Sequence, residues 1–533
     1  MPTDCISFRD SAYVSKLICD YVENRLELQP LYNRFPTIAN FKAQLEAKQS
    51  EFSANKRAVL VKVLTQQYAT VSLATVTAKS IKSLSDQNTF TVTTGHQLNL
   101  MGGPLYFLYK IITTINLAKE LKSKYPQNNF IPVFWMATED HDFDEINHFN
   151  FQNKRFQWSQ DTSGAVGVLS TSELAEFIEV FSNVLGNSSA ALELKKLIKE
   201  AYSSHSNLAD ATRYLVHALF GADGLLIIDG NEADLKRLFT PHVISELTNQ
   251  VSFKCVNETN NYLKTIDDTY KIQVNPRELN LFYLKNNLRE RIVKNENSFS
   301  VLNSNIVWDL TGIMEELKSH PERFSPNVIM RPLYQETILP NLCYIGGGGE
   351  LAYWLQLKSY FEIERIQFPI LLHRNSVLLM SQKQHQKLDK LKITVSDLFV
   401  DKHLLIKSQL QKITALPIDF SLQKKQLEKQ FEHLYMLAKQ TDKSFLGAVS
   451  AQEKKQLKGL ETLENRLQKA EKKAHKEYFN RLETIHLELF PNGGLQERFT
   501  NFSEFYVVHG DDFIKRLKLE LAPLNQKFHV LTL

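Results

Sequence analysis

The segment Thr91 to Tyr109, TVTTGHQLNLMGGPLYFLY, restricts the fold more than any other stretch of this chain. Phe90 to Thr94 are aromatic or β-branched, which predicts a short buried strand. The run breaks at Gly95-His96-Gln97 and again at Gly102-Gly103-Pro104. A helix is then predicted over Leu105 to Leu121, with apolar residues at Leu105, Leu108, Ile112, Ile115, Leu117 and Ala118. Pro104 suits a first helical turn, where its missing N–H would have had no partner. Strand, glycine loop and helix in that order make the unit of an open α/β sheet, whose ligands bind at the carboxyl ends of the strands. The N–H groups at such a helix start attract anions. The spacing is neither G-x-G-x-x-G nor a Walker sequence. A tight turn that needs glycine on steric grounds accounts for these residues equally well.

Two further stretches repeat the arrangement. In Phe130 to Asn150, FIPVFWMATEDHDFDEINHFN, the run Ile131 to Met136 reads as a buried parallel strand, with Pro132 at its tolerated start. Directly after it come Glu139, Asp140, His141, Asp142, Asp144 and Glu145. Such a cluster cannot be core, so it is solvated or lines a polar cleft. Asp140, His141 and Asp142 are consecutive and cannot all point one way, so no metal is expected. In Asn327 to Tyr360, Val328 to Met330 reads as a strand followed by Arg331, Tyr334 and Gln335. Cys343-Tyr344-Ile345 then leads into Gly346 to Gly349 and a helix over Glu350 to Tyr360. Four glycines permit close backbone approach, although a flexible linker has the same composition. A last strand, Phe368 to His373, ends in Arg374 and Ser376. Arg374 is either a bidentate clamp for a phosphate or carboxylate, or a surface loop arginine.

Strands at 90–94, 130–136, 224–229, 327–331 and 369–373 are therefore expected to form one interrupted parallel sheet. The predicted class is α/β, a Rossmann-like core similar to class I aminoacyl-tRNA synthetases with connective insertions. The predicted segments are 1–150 (N-terminal helices and first half of the core), 151–215 (first insertion), 216–249 (core strand and helix), 250–325 (second insertion) and 326–382 (second half of the core). Within the first insertion, Gln160 to Ser170 reads as a hairpin or loop with short strands. Residues 383–490 are expected to be a helical coiled coil and 491–533 a segment returning to the core. Leu460, Leu463, Leu467, Ala470 and Ala474 follow a 3,4 spacing, which Tyr478, Leu482 and Ile485 continue after a one-residue slip. Long helices over Leu422 to Leu437 and Gln456 to Leu489, joined near Thr441 to Ser450, make an antiparallel hairpin. In the tail, Phe505 to Val508 reads as strand, Asp511 to Leu521 as helix and Lys527 to Leu533 as an edge strand.

A net charge of +4 is small for 533 residues and gives no reason to expect nucleic-acid binding. Cys5, Cys19, Cys255 and Cys343 are scattered and form no C-x-x-C, which argues against a disulfide framework or a cysteine zinc site and fits a reducing cytoplasm. MPTDCISFRDS has no apolar core, so no signal peptide is expected, and no apolar run is long enough for a membrane span.

TTGHQLNLMGGPLYFLYK, PVFWMATEDHDFDEINH, MRPLYQETILPNLCYIGGGGELAYW and the strand ending HRNS together resemble the cysteine-adding enzymes of bacillithiol biosynthesis. The likeness runs in order over essentially the whole chain. It implies a cysteine ligase that joins L-cysteine to the glucosamine amine of glucosaminyl-malate, the last step of bacillithiol biosynthesis. It also implies connective peptides at 151–215 and 250–325 and a homodimer formed through the coiled coil. By analogy with the synthetases, ATP or another nucleotide would activate the cysteine carboxylate as an adenylate. The implied catalytic residues are His96, Asp140, His141 and Asp142. His96 would donate to developing phosphate charge, Asp140 and Asp142 would bind an ammonium group, and His141 would act as acid or base. Arg331 and Arg374 would clamp anions, with Tyr334 and Gln335 contacting substrate. The remaining implied contacts are Thr94, Gly95, Gln97, Gly102, Gly103, Gly346, Gly347, Gly348, Glu350 and Ser376. Two departures are visible. The family carries a GGPGE-like form where this chain has Gly348 and Gly349 before Glu350, which lowers loop rigidity. His373-Arg374-Asn375-Ser376 stands in place of the synthetase lysine-serine signature. Two other functions fit the residues: a nucleotide- or metabolite-binding scaffold of the same pathway without ligase chemistry, and a metal-dependent hydrolase using the acidic cluster.

Overall fold

Five buried runs form one parallel sheet in the computed structural model, which describes residues 4–160 and 162–533. They are β1 (Thr89–His96), β2 (Asn129–Met136), β3 (Leu226–Asp229), β4 (Asn341–Gly346) and β5 (Ile370–His373). Their spatial order is β5-β4-β1-β2-β3, and every pairing is parallel. The chain therefore builds outward from β1 in one direction, then returns to build on its other side. The reversal lies between β1 and β4, the position at which doubly wound sheets bind ligands. β1 pairs with β2 in unbroken register from Thr89 opposite Asn129 to His96 opposite Met136. All eight residues of β1 are buried, as expected of a strand covered on both faces. Phe90, Val92, Leu342, Ile345 and Ile370 pack with Leu117 and Leu121 of α1 (Tyr106–Lys124) and with Phe41 and Leu45 of an N-terminal helix.

The sheet differs from expectation at one strand. Asn327 to Met330 is not extended, because the Asn327 side chain accepts the N–H groups of Ile329 and Met330 and its carbonyl accepts that of Arg331. This local bonding offers the backbone an alternative to a ladder and starts the helix α2 (Arg331–Ile338). The strand position is filled by β4, the run Asn341-Leu342-Cys343-Tyr344-Ile345-Gly346. Gly348 and Gly349 are helical, opening α3 (Gly348–Trp354), and the helix expected to reach Tyr360 is broken before a second one at Lys358–Ile363.

The second insertion contains an antiparallel five-stranded sheet that includes Leu281–Lys285, Leu288–Asn295 and Phe324–Pro326. A hairpin forms upstream of the expected place, His148–Phe151 with Lys154–Gln157, across the expected start of the first insertion. Val166–Val168 is a 3-10 turn, and Asp161 lies outside the described residues. Phe505 to Val508 is not strand but part of the helix Ser503–His509, which buries only Ser503 and Tyr506. Phe528–Thr532 is not an edge strand. It has Asp4–Ile6 on one side and Ser376–Met380 on the other, and every one of its residues is buried.

The chain divides into a unit of residues up to 378 with 495–531, and a second of 379–494 with 532–533. In the second, α4 (Ser421–Ala438) and α5 (Lys443–Ala474) form an antiparallel hairpin. The hairpin turns earlier than expected, where Asp442 caps α5 by accepting the Ser444 N–H at 2.7 Å. The axis breaks at His475, before α6 (Lys476–Leu489), which is where the apolar spacing slips. Phe431, Ala438 and Val449 form a thin core, while Leu463 of the predicted stripe is 53% exposed.

Candidate functional site

The carboxyl ends of β1, β2, β4 and β5 open on a cleft of about 890 Å³. Gly95, His96 and Gln97 lie at the end of β1, Ala137 to His141 after β2, and Gly347, Gly349 and Glu350 around the start of α3. Leu281, Phe282, Arg289 and Arg291 of the second insertion supply a further wall. The cleft therefore straddles the reversal point between β1 and β4.

Its inner end is built on one buried ion pair. Lys110 sits in the second turn of α1, and its ammonium donates to the Gly95 carbonyl at 2.8 Å and meets Glu350 Oε2 at 2.5 Å. Glu350 also accepts from the Tyr344 hydroxyl at 2.6 Å and the Gly347 N–H at 2.9 Å. Burial opposes the Glu350 charge, but Lys110 and these donors hold its pKa down at about 2. His96 packs against the rings of Tyr106 and Phe107, with centroids at 5.1 and 5.5 Å. Its Nδ1 accepts the Gln97 N–H at 2.9 Å, which places the proton on Nε2. That Nε2 is buried without a partner. Burial, reinforced by Lys110, lowers the His96 pKa to about 3, so the ring is neutral and a hydrogen-bond donor at neutral pH.

The acidic segment after β2 is tied to the insertion wall. Gln97 Nε2 donates to Asp140 at 2.9 Å and Glu145 at 2.7 Å. Arg289 Nη1 lies 2.6 Å from His141 Nδ1 and 3.5 Å from Asp140 Oδ1, and its guanidinium stacks 4.1 Å over Phe282. Because Arg289 can only donate, His141 Nδ1 is the acceptor and its proton sits on Nε2. Glu139 is taken up by Lys236 at 2.7 Å.

Arg331 lines the cleft and is held by Gln335 at 3.1 Å and Tyr353 at 3.4 Å. Among the described residues Arg277, Arg291, Arg331 and Arg498 border the cleft with no carboxylate in ion-pair range. The cleft is thus receptive to anions.

Of the residues singled out from sequence, Gly95, His96, Gln97, Asp140, His141, Arg331, Gly347, Glu350 and Arg374 line this cleft together. The others lie elsewhere. Thr94 joins β1 to β4 by donating to the Ile345 carbonyl at 2.8 Å. Gly102 and Gly103, both at positive φ, turn beneath Asn501, whose amide donates to the carbonyls of Met101 and Gly103. The Leu105 N–H bonds to Thr500, so the start of α1 is met by the chain itself rather than opening on the cleft. Pro104 precedes that helix and is not in its first turn. Tyr334 donates to the Gly230 carbonyl at 2.6 Å, and Gln335 lies among Arg331 and Glu336. Arg374, although it borders the cleft, spends its bidentate grip on the carboxylate of Glu497, at 2.7 and 3.0 Å, and also holds Ser376. Asp142 is exposed and Gly346 and Gly348 are absorbed into β4 and α3.

Sequence reasoning passed over Lys110, Tyr344, Tyr353, Arg289 and Arg291. A lone lysine inside the apolar run of α1, and two arginines alternating in a strand, were the available signals. Among the described residues no three His, Cys, Asp or Glu side chains come together as a metal site, and no helix is long and apolar enough to cross a membrane.

A sheet that reverses beside an anion-receptive cleft marks a Rossmann-like α/β protein. The description "Bacillithiol biosynthesis BshC, N-terminal Rossmann-like domain" matches residues 1–375, and "Bacillithiol biosynthesis BshC, C-terminal coiled-coil domain" matches 377–533. The chain belongs to the BshC family of bacillithiol biosynthesis. A Flavobacterium johnsoniae protein named "Putative cysteine ligase BshC" is 54% identical over the full length of both chains. A relative of the same name from Christiangramia forsetii is 51% identical over 100% of this chain and 99% of its own. One from Bacillus anthracis is 29% identical over 97% and 98%. A solved structure of a putative arginyl-tRNA synthetase from Campylobacter jejuni aligns with 85% of this chain and 99% of its own, at 10% identity and a TM-score of 0.19.

Proposed function

We propose that this chain is a ligase that joins the carboxylate of L-cysteine to the amine of glucosaminyl-malate. The observation that carries this reading is the cleft at the sheet's reversal point, with guanidinium groups that lack carboxylate partners. Cysteine and glucosaminyl-malate bring three carboxylates between them, and arginine is suited to each. Amide formation in water is uphill, so the cysteine carboxylate must be activated. A nucleotide would supply that activation, and its phosphates would be held by Arg331, Arg498 and the Nε2–H of His96. The partnerless His96 Nε2 fits such an anion. Asp140, at the cleft, takes the ammonium group of cysteine. His141, already accepting at Nδ1 from Arg289, donates from Nε2 rather than acting as a base. Glu350 and Lys110 hold Gly347 and Gly95 in place at the ends of the neighbouring strands β4 and β1. Gly102, Gly103, Tyr334 and Ser376 support this arrangement from behind, and Asp142 is given no role. The four cysteines are free thiols, which suits work in a reducing cytoplasm.

The test is an assay of purified protein with cysteine and glucosaminyl-malate, with and without ATP, read by mass spectrometry. The expected product weighs the sum of the two substrates less one water. No condensation with any nucleotide overturns the reading. Product without nucleotide removes ATP and keeps the ligase.

A further inference from the structure

The second insertion faces the cleft with one strand of a particular chemistry. Leu288–Asn295 pairs with Leu281–Lys285 in continuous register, from Lys285 opposite Leu288 to Phe282 opposite Arg291. With no bulge between them, Arg289 and Arg291 project from the same face, about 7 Å apart along the strand. Both border the cleft. Glu290, between them, projects from the other face, where it accepts from Asn303 at 3.2 Å. The charged residues that this strand turns to the cleft are therefore both cationic, with Phe282 beside them and Asp140 Oδ1 3.5 Å from Arg289 Nη1.

The two arginines differ in how they are held. Arg289 is fixed, stacked on Phe282 with Nη1 committed to His141. Its Nε is buried without a partner, so the Nε edge of the guanidinium remains to be satisfied. Leaving such a donor unpaired is unfavourable, and a ligand oxygen relieves it. Arg291 has no ion-pair or side-chain hydrogen-bond partner among the described residues.

We propose that Arg289 and Arg291 form the subsite for the two carboxylates of the malyl group of the acceptor. This rests on the ligase reading and says which wall recognises which substrate. A four-carbon dicarboxylate carries its two planar anionic groups at opposite ends. Two guanidinium forks spaced along one strand face meet such a pair bidentately, one each. Successive phosphates of a nucleotide are matched better by Arg331 and Arg498 and by the turn where Gly347 and Gly349 bring backbone to the cleft.

The experiment measures KM for glucosaminyl-malate, cysteine and ATP separately in Arg291→Ala and Arg291→Lys, with circular dichroism as a check on folding. Arg291→Ala is expected to raise the acceptor KM about tenfold or more, with the KM values for cysteine and ATP within twofold. Arg291→Lys, which keeps the charge but not the fork, is expected to fall between it and wild type. If the alanine variant does not fold, the lysine variant carries the same comparison. An unchanged acceptor KM, or a rise in the ATP KM instead, overturns the subsite. Calorimetric titration of glucosaminyl-malate, and of the glucosamine glycoside lacking the malyl group, separates this from failure of the ligase reading. Binding that needs the malyl group and is lost in Arg291→Ala supports the subsite even if no amide forms. Equal binding of both compounds to wild type overturns it.

Discussion

His96 has its Nδ1 filled by the next backbone N–H and its Nε2 left without a partner in the cleft. Its ordinary pKa of 6.5 falls to about 3 in the fold. As pH drops below 6.5 the unfolded chain takes up a proton that the folded one refuses, so stability falls from there toward pH 3. His96→Asn should make the dependence of Tm on pH shallower across that window, as read by thermal melts at half-unit steps. His373, also lowered to about 3 by burial, keeps part of the slope. Glu350 acts in a lower window, because its pKa falls from 4.5 to about 2: its stabilisation is complete above pH 4.5 and is lost as pH falls toward 2. His96→Ala should lower kcat by about 10²–10³ with little change in the KM for cysteine, if its Nε2–H meets charge that develops in the reaction. Lys110→Met strands the Glu350 carboxylate and should cost about 3–5 kcal/mol by urea unfolding, much of it restored by a second change, Glu350→Gln. At this scale the sequence was partly legible. His96 and Asp140 stand beside glycine or just past a strand end, where chemistry is looked for, and Arg331 stands beside a predicted strand that the fold does not form. Lys110 was hidden inside an apolar helical run, and its meaning comes from Glu350, 240 residues away.

The elements were readable wherever apolar periodicity is strong. β1, β2, β5 and α1 follow directly from runs of Phe, Val, Thr and Ile. Two segments, Asn327 to Met330 and Phe505 to Val508, have strand-like composition and are not strands. In the first, Asn327 captures the following N–H groups with its own side chain. In the second, the same residues serve equally as the half-buried face of a short helix. The glycine loop after β1 shows the same limit. Gly102 and Gly103 were expected to open an anion cradle, but Asn501, 400 residues from Met101, fills that position with two hydrogen bonds. Asn501→Ala leaves two buried carbonyls unmet and should cost about 1–3 kcal/mol, measured by chemical denaturation.

At the scale of the whole molecule, we propose that the hairpin of α4 and α5 joins two copies of the chain. Leu434, Met436, Leu437, Phe445 and Leu446 are exposed around its turn, too many apolar side chains for a solvated tip. Leu437→Asp with Phe445→Asp should shift sedimentation from dimer to monomer, and an unchanged sedimentation coefficient would remove this dimer. The amino-acid sequence by itself determined the α/β class, the parallel core, the helical second part and the family, because these depend on local periodicity and on short runs of specific residues. Only the tertiary structure decided which strand neighbours which, and so where the sheet reverses. It also decided that Arg374 is spent on Glu497, that the start of α1 is met by Thr500, and that Arg289 and Arg291 face the cleft. The physical reason is that a charged side chain takes its role from its partner, and here the partners lie far along the chain, where no periodicity reaches.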